Sequence, residues 1–156
     1  MHEVTGKVAI SSKGEELEMY EFDEIPRFFS GLIKCEADQG SRAFLSSSNR
    51  SYIFFYGQGS FALERFEHSF PELDEWNLGR QEANQSRTIL NFREGRVTMD
   101  NRKMLDISEL LVVTPLGSVS VSGALWQMQI LFDRGTQRFD FYISCSDGLL
   151  KFKDIQ

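Results

Sequence analysis

The chain is poor in the residues that staple a fold or carry out chemistry. Its 156 residues include two cysteines, three prolines and two histidines. His2 is terminal and His68 borders a polar tract, so a Ser-His-Asp triad or a zinc site lacks ligands, and both histidines read as solvated surface groups. Positive charge is also short: 17 Lys and Arg face 23 Asp and Glu, a net charge of −6. Phosphate binding needs a positive field, so no nucleic-acid partner is expected. No apolar run approaches the ~20 residues of a helical membrane span, and MHEVTGKV does not read as a secretory signal. Cys35 and Cys145 have no metal-type spacing around them. They read as two separate buried thiols in apolar strand contexts, with a single long-loop disulfide as the alternative in an oxidising compartment. An amphipathic helix of globular length is missing too.

Phenylalanine is abundant instead: 14 of the residues are Phe and aromatics make up 13%. A buried Phe contributes roughly 2–3 kcal/mol of apolar transfer, so an aromatic-rich core is expected. Alternating apolar runs recur with turn signals every ~8–12 residues, the spacing of an all-β domain. Turns are expected at Gly57-Gln58-Gly59, Arg93-Glu94-Gly95-Arg96, Asp133-Arg134-Gly135-Thr136 and Ser146-Asp147-Gly148. Tyr52-Ile53-Phe54-Phe55-Tyr56 is aromatic or apolar throughout, as in a strand covered on both faces. Residues 67–86 form a long polar tract around Leu73, Trp76 and Leu78, expected to be a loop. The pattern therefore predicts one all-β domain over residues 1–156. Its strands are expected to be short, stacked in a twisted solenoid-like or sandwich-like arrangement, with one long polar loop and little helix.

Residues 110–132, LLVVTPLGSVSVSGALWQMQILF, carry the most information. Thr114-Pro115-Leu116-Gly117 is a turn between two alternating runs. Val119 and Val121 share one parity, whereas Trp126, Met128, Ile130 and Phe132 share the other. Side chains alternate across a strand, so the inward face must switch near Gly123-Ala124, where glycine admits a bulge or sharp bend. Trp126 reads as core.

Gly95, Val97, Thr114, Pro115, Gly117, Val119, Val121 and Gly123 resemble the C-terminal half of a FecR domain, the module of iron-citrate-type sigma-factor regulators in bacteria. Residues 41–45 and 51–55 resemble an upstream pair of its strands, and Ser146-Asp147-Gly148 its last turn. Ala124 and Ser122 depart from the family, which usually has Thr and often Arg there. The resemblance implies a solenoid-like extracytoplasmic β-module that signals through protein–protein contact, without catalysis, and is periplasmic or otherwise outside the cytoplasm.

No residue is assigned a catalytic, cofactor or metal role. The paired carboxylates Asp74-Glu75 and Glu15-Glu16 face water in the simplest reading. Gly57-Gln58-Gly59-Ser60-Phe61-Ala62 fits a loose dinucleotide pattern but is followed by no helix signal. Trp76, in the polar tract, is either an interface anchor or tucked beneath its loop. The expected function is a non-enzymatic interaction module that binds a protein partner, with edge-strand pairing as the physical route. The alternative is a ligand- or carbohydrate-binding β-domain that uses Tyr52, Tyr56 or Trp76.

Overall fold

A computed structural model of the chain describes residues 3–5, 7–12, 18–21, 33–47, 49–68 and 85–154. The first three segments are strands β1 (Glu3–Thr5), β2 (Lys7–Ser12) and β3 (Glu18–Glu21). They are followed by β4 (Ile33–Ala37), β5 (Arg42–Ser46), β6 (Tyr52–His68) and β7 (Ser86–Asp100). The chain continues with β8 (Glu109–Thr114), β9 (Gly117–Asp133) and β10 (Arg138–Asp154). The fold is all-β, with no helix among the described residues.

The strands are long rather than short, because several expected turns are bends inside continuous strands. Gly57-Gln58-Gly59 lies within β6, Gly95 within β7, Gly123 within β9 and Gly148 within β10. Each of these four strands keeps one neighbour along its length but slips register at the glycines. The β6–β7 pairing shifts between Tyr56 and Ser60, and the β9–β10 pairing between Cys145 and Leu149. Residues 114–117 and 133–138 turn the chain fully back as hairpins, as do residues 46–52 between β5 and β6. Composition marks a glycine as a break; whether the ladder resumes beyond it is decided by long-range pairing.

The bends fold the sheet into two layers. Phe141 and Phe152 lie on the same strand, β10, and a straight strand would separate them by about 36 Å. Their ring centroids are 5.2 Å apart. The pairings repeat this division. Residues 87–91 of β7 run parallel to β8, whose other side carries residues 117–121 of β9. Residues 95–100 of β7 pair directly with residues 125–130 of β9. Likewise β4 pairs with residues 59–63 of β6 and β5 with residues 52–56. One layer thus holds β4, β8 and the matching halves of β6, β7, β9 and β10; the other holds β5 and the remaining halves. This two-layer arrangement buries one face of each layer against the other.

Between the layers lies a core that includes Phe55, Phe61, Leu90, Phe92, Met99, Val112, Trp126, Met128 and Ile130. Phe55 packs against Phe61 and Phe92, with centroids 5.2 and 6.1 Å away. The parity switch on β9 is as the sequence predicts: Val119 and Val121 are buried before the bend, Trp126, Met128 and Ile130 after it. Residues 52–56 are not covered equally on both faces. Ile53 and Phe55 are buried, while Tyr52 and Phe54 are half-buried in an outer row with Phe44. Phe44 stacks on Phe54 at 4.4 Å, so aromatic neighbours cover what a second sheet would.

Candidate interaction surface

One end of the sandwich is closed by a buried polar network. Asn49 and Asn101 are fully buried. Asn49 Nδ2 donates to Ser86 Oγ and Thr88 Oγ1 at 3.1 and 3.2 Å, and its Oδ1 accepts from the Ser51 backbone N–H. Asn101 Nδ2 donates to Ser51 Oγ at 2.8 Å, and Asn101 Oδ1 accepts from Trp126 Nε1 at 2.9 Å. The Asn101 backbone N–H donates to Ala124 O at 2.7 Å, tying the loop after β7 to the β9 bend. A buried amide without partners would be costly; these are satisfied and fix how the layers meet. This is structural work, not chemistry. Strand parity in the sequence places Trp126 in the core but gives no sign of either asparagine, since Asn reads locally as a turn former.

The residues of the family-like motif are scaffold and are not gathered at one place: the 114–117 corner and Gly95 lie toward one end of the strands, the Gly123 bend at the other. Thr114 is buried, and its Oγ1 donates to Gly117 O at 2.9 Å and accepts from the Leu116 and Gly117 N–H groups. That local ring explains why a threonine precedes Pro115, which is exposed at the corner. Gly95 lies against the Phe55 ring, Val119 and Val121 are buried, and Ala124 is buried in the core while its carbonyl accepts from Asn101. Gly148 lies beside the β9 bend with φ +88°, and a Cβ there would fall 2.3 Å from Gly123 O.

The opposite situation holds along β10. Among the described residues it pairs only with β9 and ends the sheet, so no described strand covers its other edge in either layer. Residues paired across antiparallel strands share a face, and Phe141, Ile143, Cys145, Leu150 and Phe152 pair with Ile130, Met128, Trp126, Val121 and Val119. The β9 members of these pairs are buried; on β10, Phe141, Ile143 and Leu150 are half-buried and Phe152 is 44% exposed. Phe139 beside Phe132, and Tyr142 and Leu149 on the outer face, add further exposed apolar surface. An apolar interior open along one flank beside unpaired strand edges is the arrangement that invites another chain. At its top, the turn is held by Asp133, whose carboxylate accepts from Thr136 Oγ1 and the Gly135 and Thr136 N–H groups. These bonds hold its pKa below the usual carboxylate range.

Cys145 corrects the reading of two buried thiols. Cys35 is buried, whereas Cys145 is exposed on the open flank, and both are free. Alternation assigned Cys145 to the core face correctly; what the sequence could not show is that no described strand covers that face at β10. Burial, and secondarily the neighbouring Glu36 carboxylate, push the Cys35 thiol up to about 12.

A cleft of about 480 Å³ lies near the same end as the β9–β10 turn, lined among others by Asn91, Arg93, Glu94, Pro115, Phe132 and Phe139. Neither Tyr52 nor Tyr56 lines it. Trp76 and most of the polar tract lie outside the described residues. Among the described residues no three His, Cys, Asp or Glu side chains group as a metal site, and no helix is long and apolar enough to cross a membrane. No family model matches the chain, and no curated protein matches its sequence.

Proposed function

We propose that this chain is a non-enzymatic protein-interaction module that receives a partner by strand addition along the open flank of β10. The observation that carries this reading is the flank itself: a 17-residue strand with one edge unpaired among the described residues and a half-covered apolar face. Backbone hydrogen bonds along such an edge supply affinity, and pockets for alternate side chains supply selectivity. The FecR-like motif adds a biological setting, that of the extracytoplasmic signalling module of a sigma-factor regulator in a bacterial envelope. Support for that setting is the Thr114-Pro115-Gly117 corner and the Gly123 switch, both of which work as scaffold.

The test is binding to the outer-membrane transporter encoded nearest this chain, scored over variants of β10. Tyr142→Pro and Lys151→Pro remove backbone donors and bend the strand, and should abolish binding, whereas Tyr142→Ala and Lys151→Ala should leave most of it. The second reading, a ligand-binding β-domain, draws on the cleft beside Phe132 and Phe139. Binding that is lost with Arg93→Ala and Glu94→Ala but survives both prolines would replace strand addition with that reading.

A further inference from the structure

We propose that the partner fitted to this flank is a second copy of the same chain, joined about a two-fold axis that runs along the strands. This rests on the strand-addition reading and names the occupant. The flank has two edges of opposite direction: residues 138–145 in one layer and 149–154 in the other, joined by the bend at Gly148. A two-fold axis parallel to the strands sets the first half of one β10 antiparallel to the second half of the other, and both layers then continue from copy to copy. Such an interface is isologous and closes on itself.

The side chains select the register. Inner residues must meet inner residues, or the apolar faces would turn to water. Placing Phe141 opposite Phe152 of the partner copy sets Ile143 opposite its Leu150, so the apolar interior becomes continuous. The same register sets exposed Asp140 opposite Lys153 and exposed Tyr142 opposite Lys151 on the outer face. Opposite charges face each other twice, once on each side of the axis. The other isologous arrangement pairs like halves. Registers that bring Phe152 onto Leu150 or onto itself then put Lys151 opposite Lys151 or Lys153, which like-charge repulsion disfavours. Lysines on an edge can also serve to repel neighbours, and the experiment decides between that role and complementarity.

Sedimentation of the full chain over a concentration series reads the outcome. The wild type should form a dimer. Asp140→Lys and Lys153→Asp each place like charges together twice and should weaken dimerisation roughly tenfold or more. Mixing those two single variants, or combining both changes in one chain, restores opposite charges at every pair and should restore wild-type association. All are exposed substitutions, and an unchanged melting midpoint of each monomer verifies folding. A wild type that stays monomeric overturns the self-pairing while leaving strand addition to another protein intact. A dimer indifferent to both single variants, or not rescued by the mixture, overturns the assigned flank and register.

Discussion

Strands β9 and β10 lie side by side with similar apolar alternation, yet one is interior and the other is not. Trp126, Met128 and Ile130 of β9 are almost wholly buried, whereas their cross-strand partners Cys145, Ile143 and Phe141 are exposed or half-exposed. Both strands follow the same bend, and both point these side chains between the layers. The difference is a third strand: β9 has β7 and β8 on its far side, and β10 has none among the described residues. Alternation therefore reports which way a side chain points, and only the neighbour beyond reports whether it is buried.

The largest effect expected from that comparison is on cross-strand partners. Met128→Ala opens a cavity in a closed core and should cost about 2–5 kcal/mol. Ile143→Ala, directly opposite, should cost about 1 kcal/mol at concentrations where the chain is monomeric. Urea unfolding of both variants measures the gap, and equal losses would mean that β10 is as well covered as β9. The bend the strands share gives the next effect. Gly148→Ala drives a methyl group into the Gly123 carbonyl and should cost about 2–3 kcal/mol. At Gly123, with φ +51°, an added Cβ meets nothing within 4 Å. Gly123→Ala should therefore cost only the left-handed backbone penalty, about 1–2 kcal/mol.

Much of this fold was legible in the sequence. The all-β class, the Thr114 corner and the inward switch at Gly123 follow from parity and turn chemistry, which are local. Glycines 57, 59, 95 and 148 were legible as irregularities but not as bends, because a bulge and a turn demand the same backbone freedom and differ only in what pairs afterwards. The open flank was only half legible. Phe139, Phe141 and Ile143 carry an unmistakable strand pattern, yet an edge is a property of sheet order, which depends on pairings far apart in sequence. Asn49 and Asn101 were illegible for a related reason: their partners Ser86, Thr88, Ser51 and Trp126 meet only once the layers close.

A smaller effect is expected at the closed end. The Arg102 guanidinium bonds the Asp100 carboxylate at 2.8 Å and holds its pKa below the ordinary value. A carboxylate with a depressed folded pKa adds stability that is complete above its unfolded value, about 4, and is lost as pH falls through the folded one. Asp100→Asn should cost about 0.5–1 kcal/mol at pH 7, small because the pair is partly solvated. The difference from wild type should shrink steadily below pH 4. A difference that persists at pH 2 would assign the contribution to packing rather than charge.

The two thiols sharpen the contrast between the closed core and the β10 flank. Cys35 is sealed in the core on β4, and its ionisation is displaced from an ordinary value of 9.0 to about 12. Its contribution is complete below about pH 9 and is lost as pH rises toward 12, since the unfolded chain ionises first. Cys145 lies on the open flank with its Sγ 3.2 Å from Asp147 O. A thiol reagent at neutral pH should label Cys145 promptly in a dilute native sample, and Cys35 only at the rate at which the chain opens. Because Cys145 faces the apolar interior exposed at β10, pairing of flanks should slow the prompt phase as concentration rises, while Asp140→Lys should keep it fast. A prompt phase independent of concentration in a sample shown to be dimeric would place the contact elsewhere and leave β10 a true free edge.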